Sequence, residues 1–517
     1  MRISRLSALL LLVCTCPIVK NKTFFFVLFE GQRIAQRRSV IGPVLTPQAR
    51  QGLFRYFPGV QNGNAISNTP TVDLSGNPVR PAGATGDLTQ FNVFTKDASR
   101  PALDNSGWLK TLLARMPQPN DYTTGDGLNT DGFRWTRHED GTETSQGTGT
   151  DVNRNQFNFR FDQNFSSRHK ASVSMSVEHV YDGVEKALWP GGYDSENLRD
   201  PRTLTASFTS TLSPNLVNEV RGGLRLNTYV LNAQFDNTKT GKDVLNILPI
   251  ASGITYVPLT QLFTGNFINY GLGSRGQKNV LTSYADNLSW IKGKHAFRGG
   301  AELRLGYTLS MQAGNFYPVV TMGAGGAAVT GIDGTISGLV AGNQTVARQL
   351  LTDLAGSVSS IQQAFFLNDS KDLKFLAGPE QTGTSWDTRG KLRTLHENEW
   401  SAFFKDDWKI RQNLTLNIGV RYEFYGVPWD AHGLAGHLVG GGTEGVFGIS
   451  GKSFADMYQP GHLAGSQTLV EFVGKNSPNP DKQLYTDDYN NFGLRSALAG
   501  LCPIWARTRP CFGRAMD

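Results

Sequence analysis

Residues 400–424 read WSAFFKDDWKIRQNLTLNIGVRYEF, and this stretch decides the fold. Its second half places Leu414, Leu416, Ile418, Val420, Tyr422 and Phe424 on one side and Thr415, Asn417, Gly419, Arg421 and Glu423 on the other. That is a period of two, hence a strand. Its first half sets Trp400, Ala402, Phe404, Trp408 and Ile410 against Phe403, Lys405, Asp407 and Lys409, with Asp406 interrupting the apolar side. A carboxylate facing lipid costs least near an interface, so Asp406 is expected low in its strand or at a bulge. Arg411-Gln412-Asn413 leaves room only for a tight hairpin turn. Each run is long enough to cross a hydrocarbon core as a tilted strand, which takes roughly 9–11 residues. A soluble sandwich strand is usually about half as long.

The same plan recurs upstream. Phe157, Phe159 and Phe161 alternate with Asn158, Arg160 and Asp162, turn near Asn164 to His169, and return through Ala171, Val173, Met175 and Val177. Thr203 to Leu212 turns through Ser213-Pro214-Asn215 into the run from Val220 to Val230. Ser283 to Trp290 turns through Lys292-Gly293-Lys294 into Phe297, Ala301, Leu303, Leu305 and Tyr307. Between these hairpins lie far longer connections, poor in periodicity. Gly42 to Thr150 reads as loop with one short helix at Trp108 to Met116, and Ser310 to Glu397 reads as a second long loop. Short turns at one end and long loops at the other are the asymmetry of a bacterial outer-membrane barrel. Trp290, Trp400, Trp408, Tyr307, Tyr422 and Phe424 fall towards strand ends, where an aromatic girdle would sit. The expectation is an all-β protein, an antiparallel transmembrane β-barrel with long extracellular loops, placed in the bacterial outer membrane.

Composition agrees. Of 517 residues, 39% are hydrophobic and 18% charged, as suits strands that show lipid only every second residue, and 58 glycines favour turns over helices. No apolar run reaches about 18 residues, which argues against helical membrane spans. The net charge of +7 is spread without a Lys/Arg block, so nucleic acid is not an expected partner. Four cysteines lie at the extremities, Cys14, Cys16, Cys502 and Cys511, a distribution that suits an exported protein.

Motifs for chemistry fail on context. Gly271-Leu272-Gly273-Ser274-Arg275-Gly276 fits G-x-G-x-x-G but leads into strand-like alternation where a dinucleotide site needs a helix. Gly451-Lys452-Ser453 lacks a correctly spaced first glycine for a phosphate loop. His396-Glu397-Asn398-Glu399-Trp400 has no second zinc-binding histidine and runs into a strand, and no G-x-S-x-G elbow occurs. His169 and His295 at turns read as solvated. Arg160, Arg221, Arg225, Arg298, Arg304 and Arg421, with Asp162, Glu302 and Glu423, read as a hydrated inner wall that pairs its own charges. No catalytic, cofactor or metal residue is assigned, and no enzyme activity or cofactor is expected.

Lys20 to Gly31, the hairpin Trp400 to Gly426 with Asp406-Asp407-Trp408 and Leu414 to Glu423, and Tyr489-Asn490-Asn491-Phe492-Gly493 resemble the barrel of TonB-dependent outer-membrane receptors, most closely the Oar-like group. The resemblance implies a plugged barrel of about 22 strands that binds or imports a scarce extracellular ligand with energy from the inner-membrane TonB complex. The chain departs from that pattern in carrying only about ten to twelve convincing strands, and no plug or TonB box is recognisable, so a TonB partner is expected only if a longer parent supplies both. Residues 1–16 read as a secretory signal or a mis-translated start, 17–493 as part of the barrel, and 494–517 as an atypical tail read out of frame. About half a barrel would need to close smaller, oligomerise or be completed by another chain. The alternatives kept open are a passive porin-like channel and a secreted β-rich adhesion or polysaccharide-binding protein. Outer-membrane lipid and an unknown extracellular ligand are the other expected partners.

Overall fold

A computed structural model describes residues 6–35, 37–67, 69–138, 152–184, 186–260, 273–323, 328–372, 374–377, 391–438 and 470–500. Eleven long strands form one continuous antiparallel path: β1 (Leu6–Val19), β2 (Thr23–Ala35), β3 (Val152–Asn164), β4 (His169–Val184), β5 (Ser195–Ser213), β6 (Leu216–Asn232), β7 (Arg275–Lys292), β8 (His295–Gln312), β9 (Lys391–Arg411), β10 (Leu414–Tyr425) and β11 (Phe492–Gly500). The path follows chain order throughout, and the short strand Trp429–Asp430 pairs on β9.

The register turns alternation into two surfaces. One row of directly opposed residues runs Phe25, Phe161, Val173, Ala206, Gly222, Tyr284, Leu303, Trp400, Phe424, crossing nine strands. The next row runs Asp162, Ser172, Ser207, Arg221, Ala285, Glu302, Ser401, Glu423. Opposed residues share a face, so the sheet is apolar on one side and polar on the other. Phe404 at 52% exposure and Ile418 at 51% show that the apolar face has no protein partner. Such a surface is stable when lipid covers it.

The strands outrun the expected hairpins. β9 spans 21 residues and β5 spans 19, where alternation alone marked about half. Beyond the apolar zone the side chains become polar on both faces and the pattern fades, but ladder hydrogen bonds continue because exposed backbone groups still need partners. The same reason carries the sheet past both limits set from sequence. Residues expected to be a signal or a misplaced start run as β1 against β2, and β11 continues beyond Gly493 to Gly500 against β10. The rest of the expected tail, with Cys502 and Cys511, lies outside the described residues, as does Gly451-Lys452-Ser453. Asp406 occupies a regular stretch of ladder near the turn, with the register irregularity falling later, between Lys409 and Arg411.

The described parts of both long loops prove to be folded. Arg37–Leu45 pairs with Thr130–His138, and the expected helix appears as α1 (Trp108–Arg115). Two further helices, α2 (Gly241–Ile247) and α3 (Ala341–Leu354), carry no signal recognised in the sequence. Leu45, Phe54, Tyr56, Leu109, Leu112, Trp189, Phe235, Val244, Leu350 and Leu354 bury together in one core that draws on the loops after β2, β4, β6 and β8. The buried apolar residues of this molecule are therefore concentrated in its loop layer. Hydrogen bonds tie the layer: Tyr56 Oη donates to Ser337 O at 2.9 Å, and Asn343 accepts from Asn62 N at 2.9 Å and donates to Val60 O at 3.0 Å.

Trp189 is the joint between two of these loops. Its Nε1 donates to Pro43 O at 3.1 Å, and a Cβ on Gly42 would stand 2.7 Å from its Cδ1, so only glycine lets the ring lie there. Trp189→Ala should destabilise the loop layer by about 3–5 kcal/mol, the usual cost of emptying a buried aromatic site. Limited proteolysis should then cut the loops at lower temperature, while the β-sheet circular dichroism signal is retained.

Candidate functional site

The polar face is the first candidate. Arg304 spans Glu302 at 2.9 Å and Glu399 at 3.6 Å, Arg421 reaches Glu423 at 2.6 Å, and its second nitrogen donates to Ser401 Oγ at 3.2 Å. Arg160 meets Asp162 at 2.9 Å, Arg221 meets Glu219 at 3.8 Å, and Arg154 is held between Glu30 at 3.2 Å and Glu178 at 2.7 Å. The expected wall of self-paired charge is thus present, with Glu219 added from the same strand as Arg221, and Glu399 and the Arg154 cluster added by the register. Alternate positions on one strand share a face, so i, i+2 partners meet without help from distant parts of the chain. Arg225 instead lines a recess of about 450 Å³ with Asn227, Asn279 and Glu397, and Arg298 lies opposite Lys405 on the same face. Such a surface offers donors and acceptors to a hydrated solute.

The outer face carries the aromatic belts. At the turn end, His295 stacks on Trp408 and on Phe297, each 5.3 Å between ring centres, and Trp290 lies 5.5 Å from Phe297. At the loop end, Trp400 meets Tyr422 at 5.0 Å, Tyr422 meets Phe492 at 4.7 Å, and Phe424 meets Tyr489 at 5.4 Å. Trp408 and Trp400 are eight positions apart in β9, roughly 26 Å along a strand, and strand tilt shortens that span across the membrane.

Two histidines depart from their expected solvated state. His295 Nδ1 lies 2.7 Å from Asp406 Oδ2, which explains how β9 tolerates a carboxylate on its apolar side near the turn. His169 Nδ1 lies 3.1 Å from Ser210 Oγ, and its ring stacks on Phe208. His396 stacks on Trp429 within a strand, away from any zinc-protease geometry. Gly273 takes φ +77° and leads into β7, so the glycine run is a loop before a strand. Its Gly271 and Leu272 lie outside the described residues. Among the described residues no cluster of three His, Cys, Asp or Glu side chains is placed to hold a metal ion.

The match that classifies the chain covers nearly all of this architecture: the outer membrane beta barrel domain, over residues 14–499. The chain belongs to that family. It is an outer-membrane β-barrel protein of bacteria. No curated protein matches it. Among solved structures it is similar to the outer membrane transporter YddB from Escherichia coli, at 10% identity and a TM-score of 0.37, covering 82% of this chain and 34% of YddB. It is also similar to the siderophore receptor PiuA from Acinetobacter baumannii, at 10% identity and 0.30, covering 90% and 62%. The copper transporter OprC gives 8% and 0.28, covering 96% and 42%. The chain thus spans less than two thirds of each of these proteins, and the family match is what assigns it.

In the loop layer of this barrel protein, two carboxyls have opposite fates. Asp131 is 2% exposed on the strand Thr130–His138, and its Oδ1 has no hydrogen-bond partner. Burial, reinforced by the charge of Asp126 and opposed by Arg55, pushes it up to about 8. Asp97 is equally buried, but bonds from Ser99, from the Thr330 N–H and from Arg100 outweigh that burial and bring it down to about 2. A raised carboxyl destabilises the fold as pH climbs from the unfolded value, near 4, to about 8, whereas a lowered one withdraws its support as pH falls from near 4 to about 2. The loop layer should therefore be most stable near pH 4 as far as these two groups decide. Asp131→Asn should raise its proteolytic melting temperature at pH 8 and leave it nearly unchanged at pH 4. Equal effects at both values would contradict the assignment.

Proposed function

We propose that this chain forms the wall and surface loops of a TonB-dependent, Oar-like receptor that binds an extracellular ligand and contributes to its import, without enzymatic activity. The observation that carries the reading is the sorting of connections. Every tight turn lies at one end of the sheet, and at the other end the loops after β2, β4, β6 and β8 pack into a folded layer above a polar wall. A folded, polar-rimmed layer is a platform for recognition, and binding residues sit preferentially on loops held by a rigid scaffold. The resemblance of Pro17 to Gly493 to TonB-dependent barrels supports energy-coupled import in an assembly that also holds a plug and a TonB box. Import is a property of that complete assembly, of which this chain supplies one part. The paired charges of the inner wall would also suit a passive porin-like channel.

The test uses bacterial cells that make the protein. A membrane-impermeant maleimide should label Ser75→Cys in intact cells and Ser167→Cys only after the outer membrane is opened. Mass spectrometry of the medium should then show a solute depleted only when both the protein and a working TonB complex are present. Equal depletion without TonB would replace the receptor with a passive channel. Release of the protein into the medium, with no depletion, would replace it with the secreted adhesion reading.

A further inference from the structure

Where β2, β3 and β4 leave the apolar zone, they share a basic recess with the loop layer. It encloses about 480 Å³, and its lining includes Arg33, Asn153, Tyr181, Lys186, Asp194 and Lys239. Arg33 lies opposite Asn153, and Asn153 lies opposite Tyr181, so these strand residues form one row on one face. Four positions nearer the turn end, the row Phe29, Phe157, Val177 lies on that same face. The recess therefore opens on the lipid-facing side of the sheet. Four residues of strand amount to roughly 13 Å along the chain, and less across a membrane once the strand tilts. That is the depth of the headgroups, just outside the hydrocarbon core.

Its chemistry favours anions. Three cationic side chains face the recess against the single carboxylate of Asp194 among the described lining residues. Lys186 lies 3.8 Å from Asp194, and Lys239 Nζ sits 4.1 Å above the Tyr181 ring. Arg33 Nη1 donates to Arg154 O and Nη2 to Asn155 Oδ1, each at 2.8 Å, which fixes the guanidinium at the rim. Membrane-facing cation clusters of this kind engage anionic headgroups. An arginine held in place can meet phosphate oxygens with two parallel N–H groups.

We infer that this recess binds the phosphate-bearing headgroup of an outer-leaflet glycolipid, holding the loop layer against the membrane surface. The site is distinct from the polar wall and independent of which ligand the receptor recognises.

The experiment titrates the full chain, folded in a non-ionic detergent, with fluorescent diphosphoryl lipid A. Saturable binding is expected, weakened roughly tenfold or more in the double variant Arg33→Gln/Lys239→Gln, because two charge-assisted contacts are lost. Dephosphorylated lipid A should bind equally weakly, and millimolar inorganic phosphate should not compete. Arg160→Gln, on the opposite face, should bind as the unaltered protein does. Both substituted side chains of the double variant are exposed, and an unchanged circular dichroism spectrum establishes that it folds. The inference fails if the double variant binds normally, if Arg160→Gln weakens binding as much, or if phosphate removal has no effect. It fails equally if inorganic phosphate displaces the lipid, since the recess would then be a site for free anions.

Discussion

The unbroken antiparallel ladder is the constraint on which everything else rests. Hydrocarbon offers no hydrogen bonds, so each backbone N–H and C=O in the membrane zone must find another strand, at a cost of several kcal/mol for each failure. Once adjacent strands are in register, alternation becomes a two-faced wall. Tyr284, Leu303 and Trp400 fall in line on the lipid side, and Arg221, Glu302 and Glu423 fall in line on the other. A one-residue slip anywhere would exchange these sets, so the register is held by the lipid as much as by the turns.

The same constraint is informative at the margins of the sheet. β1 and β11 each lack a partner on their second side among the described residues. With eleven antiparallel strands in the path, the first and last run in the same direction. Joining them directly would make a parallel seam. A seam in keeping with the rest of the ladder requires an odd number of additional strands between them, which gives the even strand count usual for bacterial outer-membrane barrels.

The loop layer obeys a different rule. In water, apolar side chains stabilise a fold by leaving solvent, and here Trp189, Leu109 and Leu354 do so together with residues from four connections. The molecule thus has its apolar surface outside where lipid covers it and inside where water does. Asp131 and Asp97 belong to the watery half, and their contrasting environments show how far hydrogen-bond partners, more than burial itself, decide the charge of a buried acid. The basic recess stands at the boundary between the two regimes, where a face that has been apolar for several turns of the pleat becomes cationic.

Alternation, turn residues and the unequal spacing of hairpins were sufficient for the class of fold, the lipid-facing residues and the paired charges of the wall. Each of these depends on neighbours two positions apart or on an adjacent hairpin. They were also sufficient for α1, whose apolar residues repeat at helical spacing. The packed loop layer was invisible because its contacts join segments far apart in the chain, such as Tyr56 with Ser337 and Asn62 with Asn343, and no local period marks them. For the same reason His295 read as solvated until the β8–β9 pairing brought Asp406 to it. The recess needed three strands and two loops to assemble Arg33, Tyr181, Lys186 and Lys239, residues that individually look like ordinary surface positions. Local periodicity settles which face a strand presents, and only the tertiary structure decides what that face meets, because burial and charge environment are set by residues the chain brings back from a distance.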